Sequence, residues 1–240
     1  MQRLLLAKMQ PMKTSFAEYI SGLTAGFTPI VGGNLKQEDF IAIDLSANNP
    51  ELLKLEQLSS EAFSVFIDHN LKVTGKKVAF GGYNEVRKLY QRSQLFNKNV
   101  EEFLNRNIHI GLDIWTAEGT DVLAVLDGEI HSFQDNANFG DYGPTVILKH
   151  DIDGAIFHSL YGHLSRKSLM NLEVGQQVKG QEKIAELGTA EENGDYAPHL
   201  HFQLIKDLQQ NKGDYPGVAS KKDLEFYLEN CPDPNLLLKI

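Results

Sequence analysis

Cysteine is almost missing from this chain of 240 residues: Cys231 stands alone, so no intrachain disulfide can form and the core must carry the fold. Hydrophobic residues at 42% can build one. No apolar run approaches the roughly 20 residues of a transmembrane helix. At the start, Met1–Lys8 holds an apolar patch of only Leu4 to Ala7, short of the about 7–15 apolar residues of a secretory signal, so the chain reads as cytoplasmic. Basic residues are outnumbered, 23 Lys and Arg against 32 Asp and Glu. The resulting net charge of −9 argues against nucleic acid and against electrostatic adhesion to an anionic membrane or wall, and it favours soluble partners. Gly81-Gly82 lacks a following G-x-x-x-x-G-K pattern and marks a turn, not a phosphate loop. H-E-x-x-H is absent too, so no helix presents two histidines one turn apart with a glutamate base between them.

What the chain does hold is a set of five residues, His109, Asp113, His163, His199 and His201, reading H-x-x-x-D, then G-H-L-S, then P-H-L-H-F. Imidazoles with a carboxylate are the donor set zinc favours. Successive strand side chains alternate between faces, so His199 and His201 project together, about 6.6 Å apart along the strand, while Leu200 points away. Phe202, Leu204 and Ile205 are typical of a half-buried strand, and the spacing predicts one over 199–205. The segment from Ile108 to Trp115 is β-branched and aromatic, hence extended. In a straight strand His109 and Asp113 would lie about 13 Å apart, too far to share an ion, so the backbone must bend, and Gly111 between them is best able to supply the bend. His69, His131, His150 and His158 lack such context and read as structural or surface groups, with His158 the one expected to reach the cleft.

Over about residues 105–206 these motifs resemble the lysostaphin-type zinc metalloendopeptidases, which cleave peptide cross-links of bacterial cell walls. The resemblance implies a Zn2+ cofactor held by His109, Asp113 and His201, with His163 and His199 as the catalytic pair. It implies hydrolysis of peptide bonds by a zinc-activated water, with proton transfer left to the histidines. A peptide or peptidoglycan-like substrate would follow. Two departures bear on substrate: Asp195-Tyr196-Ala197 stands before Pro198 where the family commonly has S-T-G, and Gln203 stands where Glu is usual. This region is also similar to a variant of the family joined to kinase-like and aminotransferase domains. The alternative is a catalytically inactive metal-binding structural or interaction module with the same fold.

The rest of the chain predicts a mostly β fold with flanking helices. Residues 119–131 and 174–187 read as two Gly-marked hairpin units that resemble the duplicated hybrid motif, a lipoyl-like β-sandwich; a swinging-arm carrier is disfavoured because the tip Leu126-Asp127-Gly128 has no acceptor lysine. Residues 145–162 alternate around the turn Asp151–Gly154 as an antiparallel hairpin, with His163 at its exit. Ser132 to Pro144 reads as a loop and candidate cleft wall. Tyr83 to Phe103, with Arg87, Lys88, Arg92 and Lys98 among its charges, reads as helix and loop with a solvated face. A strand over Asp39–Leu45, a helix from Ser60 to Asn70 and a packing helix from Lys221 to Asn230 complete the reading. The expected division is a smaller α+β segment, 1–75, ahead of a peptidase domain, 76–240, and the lack of a Gly/Ser linker means that the two pack together.

Overall fold

Buried on both faces, the strand His199–Ile205 lies near the middle of an eight-stranded sheet, with Leu200, Phe202 and Leu204 alternating with His199, His201 and Gln203. The structure is a computed structural model and describes residues 15–54, 59–96 and 101–240; the Met1–Lys8 patch and Lys98 read above lie outside the described residues. The strands are β1 (Phe40–Ala42), β2 (Val78–Gly81), β3 (Glu85–Val86), β4 (Arg106–His109), β5 (Leu112–Trp115), β6 (Asp121–Leu123), β7 (Gly128–Asn136), β8 (Gly143–Ile152), β9 (Ala155–Gly162), β10 (Gln177–Val178), β11 (Lys183–Glu186), β12 (His199–Ile205) and β13 (Val218–Ser220). Four α-helices flank them among the described residues: α1 (Phe16–Gly22), α2 (Ser60–Thr74), α3 (Leu224–Asn230) and α4 (Asn235–Leu238). The architecture is mostly β.

The large sheet runs β1-β2-β5-β12-β9-β8-β7-β10, and β1·β2 is its one parallel pair. Two small sheets accompany it, β11-β6 and β13-β4-β3. The hairpin β8–β9 forms where alternation and the Asp-Gly turn predict it. The two Gly-marked units are a correction. Neither pairs within itself; instead β6 pairs with β11 and β7 with β10, so each unit lends one strand to the other. A second correction concerns Ser132 to Pro144. Strand β7 continues to Asn136 and β8 starts at Gly143, leaving a connection of residues 137–142.

The main core lies on one face of the sheet, where Leu112, Ile114, Val146, Leu148, Phe157, Tyr161, Leu200, Phe202 and Leu204 pack with Ile20, Ile30, Val31 and Phe40 from the N-terminal side. Helix α1 is fixed there by a capping box between Ser15 and Glu18 and by Tyr19, whose hydroxyl donates to Ile152 O at 2.8 Å. Ser59 caps α2 by accepting from Ala62 N–H, and Phe63 and Ile67 bury its inner face against Ala79 and Trp115. The large sheet therefore runs across residue 75, since β1 joins it through β2. Among the described residues no helix is long and apolar enough to cross a membrane.

Candidate metal centre and cleft

The chain leaves one sheet for another between His109 and Asp113. Strand β4 belongs to the three-stranded sheet and β5 to the eight-stranded one, with Ile110-Gly111 between them. This bend brings His109 Nε2 to 3.3 Å from Asp113 Oδ1. Gly111 is required for room: a Cβ there would lie 2.4 Å from His201 Cε1. Strand β12 pairs with β5 so that His201 faces Asp113 and His199 faces Trp115. His201 Nδ1 then lies 3.1 Å from Asp113 Oδ1 and 2.9 Å from His109 Nε2.

These three donor atoms form a nearly equilateral triangle. A tetrahedral zinc at about 2.0–2.1 Å from each ligand sets neighbouring donors about 3.3 Å apart, so the set fits such an ion with a position left open. No other group of three or more histidine, cysteine or acidic side chains among the described residues has this convergence. The tautomers agree with that reading. His109 Nδ1–H donates to Gly82 O at 2.8 Å and His201 Nε2–H to Gln203 Oε1 at 3.0 Å, which leaves the lone pairs of His109 Nε2 and His201 Nδ1 turned inward. Burial, helped by the Arg87 charge, pushes the His109 pKa down to about 3, keeping it in the neutral form that a metal requires. For Asp113 burial acts to raise the pKa, but His109 and Arg87 outweigh it and hold the carboxyl well below the usual carboxylate range.

His163 and His199 stand beside this triangle with ring centroids 4.2 Å apart. Each is anchored through Nδ1–H on a backbone carbonyl, His163 to Asn193 O and His199 to Ala197 O, both at 2.7 Å. That fixes Nε2 as the atom with a free lone pair in each. His199 is stacked on Trp115 at 5.5 Å, and its Nε2 is 3.7 Å from Asp113 Oδ1. His163 follows β9 with a φ of 63°, a left-handed conformation uncommon outside glycine and a mark of functional sites. Burial lowers the pKa of both, reinforced in His163 by His199 and His201. All five residues singled out in the sequence thus converge on one cleft of about 310 Å³.

His158 does not reach it. On β9 it is level with Ile205, whereas Gly162 is level with His201, and its ring packs instead against His131 at 5.1 Å. The segment from Tyr83 also departs from expectation: among the described residues it contributes β3 and short helical turns at Leu89–Arg92 and Glu102–Leu104, and Arg87 is buried rather than solvated. Arg87 donates through Nη1 to Asp113 Oδ2 at 2.5 Å. Sequence reasoning missed it, along with Gly82 and with Tyr142, which lines the cleft from the connection 137–142 and donates to Tyr215 O at 3.0 Å. Tyr196 lines the cleft, while Asp195 is engaged by Ser60 and Arg92.

A family model described as Peptidase family M23 matches residues 107–213. The chain is 31% identical over 108 residues to the glycyl-glycine endopeptidase ALE-1 of Staphylococcus capitis, which is 45% of this chain and 27% of that protein. To the DD-carboxypeptidase/endopeptidase Mpg of Neisseria meningitidis serogroup B it is 33% identical over 139 residues, 57% of this chain and 29% of that protein. Among solved structures, the catalytic domain of lysostaphin from Staphylococcus simulans aligns with 26% identity and a TM-score of 0.36, covering 50% of this chain and 80% of that one. The chain spans under a third of the length of the curated relatives it matches. Residues 107–213, which hold all five of the site residues, are the part of the chain that matches peptidase family M23.

Proposed function

We propose that this chain is a zinc metallopeptidase that hydrolyses peptide bonds, with His109, Asp113 and His201 as the metal ligands and His163 and His199 as the catalytic residues. The observation that carries the reading is the donor triangle with both imidazole tautomers set by outer partners, beside two further histidines whose Nε2 atoms are free. A zinc ion held there would supply a Lewis acid for the scissile carbonyl and for water at neutral pH. The chain's own residues do the rest. Neutral His163 and His199 can accept a proton at Nε2 and return it to the leaving amide nitrogen, and their carbonyl anchors keep that atom aimed into the cleft during the exchange. Trp115 holds the His199 ring in plane, and the low-dielectric wall of Leu89, Phe96 and Ala197 strengthens each polar contact.

The substrate class follows from the relatives, whose names describe a glycyl-glycine endopeptidase and a DD-carboxypeptidase/endopeptidase. We propose short peptides of the cell-wall type. The test is zinc analysis of the purified chain together with turnover of cross-linked muropeptides and glycine-rich peptides. One zinc per chain is expected, with activity reduced on the order of 10²–10⁴-fold in His163→Ala and His199→Ala while zinc is retained. Zinc bound with no turnover of any peptide would leave only the metal-binding module.

A further inference from the structure

We propose that Arg87 is a positioning residue that fixes Asp113 as a one-oxygen ligand, through a buried relay anchored on the N-terminal segment. The inference rests on the reading of His109, Asp113 and His201 as a metal centre. Asp113 uses its two oxygens differently. Oδ1 turns toward His109 Nε2 and His201 Nδ1, while Oδ2 accepts from Arg87 Nη1 at 2.5 Å. A carboxylate with both oxygens free can clamp a cation through both or shift between them. A short charge-assisted bond to one oxygen takes it out of that exchange.

The guanidinium is itself held. Its Nε donates to Glu85 Oε2 at 2.6 Å, and Glu85 Oε1 accepts the backbone N–H of Leu45 at 3.0 Å. Glu85 is the cross-strand partner of His109 in β3–β4, so the relay begins beside one ligand and ends on another. Arg87 is 2% exposed and has no room to turn, because the site of a Cβ on Gly82 lies 1.7 Å from its Nη2. The charges alternate along Glu85, Arg87 and Asp113, which spares the fold an uncompensated buried cation next to a metal. Two different nitrogens of one planar fork meet two carboxylates, a geometry that a lysine ammonium on its flexible stem does not reproduce. Leu45 follows β1, so the segment ahead of residue 75 supplies the last donor of a chain that ends at the metal ligand.

The test uses the full chain loaded with zinc or cobalt(II), reading zinc affinity by chelator competition and coordination number by the cobalt d–d absorption. Wild type is expected to bind one ion with the intense band of four-coordinate cobalt. Arg87→Met is expected to lose zinc affinity on the order of 10–100-fold and to show a several-fold weaker band, as the released Asp113 oxygen raises the coordination number. Arg87→Lys should shift both readouts in the same direction. A loss of packing alone would lower stability without changing the band. Wild-type metal binding with an unchanged band in Arg87→Met overturns this inference alone; a wild type that binds neither metal overturns the metal-centre reading with it. Should Arg87→Met not fold, the wild type decides: a weak five-coordinate band there overturns the proposal, and an intense one supports it.

Discussion

Gly82 and His109 are bound carbonyl to imidazole, with Gly82 O accepting the Nδ1–H of His109 at 2.8 Å, and the same glycine lies against the guanidinium of Arg87. One residue without a side chain therefore serves two of the groups around the metal ligands. Its φ of 95° and its contact with Arg87 both demand glycine.

Gly82→Ala is accordingly expected to cost about 1–3 kcal/mol of stability and to lower zinc affinity on the order of 10-fold or more, through the displaced carbonyl and guanidinium. Denaturant unfolding and chelator competition measure the two effects. An alanine variant with wild-type affinity would mean that the carbonyl does not orient His109.

Gln203 sets the tautomer of His201 by accepting from Nε2–H, and it donates in turn to Pro216 O at 3.2 Å. Replacing it with leucine removes the nearer acceptor and leaves the buried N–H only the longer contact with the Tyr142 hydroxyl at 3.4 Å, which costs about 1–3 kcal/mol when the tautomer is kept. Zinc affinity in Gln203→Leu is expected to fall on the order of 10-fold, measurable by calorimetric titration; no change would show that the tautomer is set elsewhere.

Because the donor triangle exists only in the folded chain, zinc should stabilise it by mass action. At free zinc about 100 times the dissociation constant the gain is about 2.7 kcal/mol. Thermal unfolding should therefore move up with zinc and back with chelator, and Asp113→Ala should abolish the response. A melting temperature indifferent to zinc in the wild type would contradict the reading of the triangle.

His150 gives a pH dependence away from the cleft. It is fully buried, donates Nδ1–H to Asp127 O at 2.8 Å and pairs through Nε2 with Ser159 Oγ at 2.7 Å, and burial pushes its pKa down to about 4. Unfolded, it would titrate near 6.5. Between these values the unfolded chain binds the proton and the folded chain does not. The stability it contributes is full above about pH 6.5 and is lost as the pH falls toward 4, by up to about 3 kcal/mol. The stability difference between wild type and His150→Gln should shrink by that amount over this range. Parallel pH curves for the two would exclude His150 as the source.

The parts legible in the sequence were those with local causes. Alternation marked β12 to its end residues, turn chemistry marked β8–β9, and the helix expected from Ser60 starts there as α2. The bend between His109 and Asp113 could be inferred because two side chains four residues apart on a straight strand cannot share an ion. What escaped has distant causes. Arg87 sits among Val86 and Lys88 like any surface arginine, and its burial is explained by the carboxylates of Glu85 and, from a distant strand, Asp113. Pairing of β6 with β11 and β7 with β10 joins residues far apart in the chain, where turn signals favour neighbours. His158 misled because nearness in sequence to His163 says nothing of the four-residue offset along β12 that separates Ile205 from His201.

Strand β2 pairs with β5 through Ala79↔Trp115, Phe80↔Ile114 and Gly81↔Asp113, and it lies ahead of the segment that carries the family match. A fragment trimmed to residues 107–213 would keep the donor triangle and both His163 and His199, yet it would turn β5 into an edge strand with open N–H and C=O groups beside Asp113. Such an edge invites pairing with a second chain. The smallest soluble piece of this protein is therefore set by where its sheet can safely end, and that lies well ahead of His109.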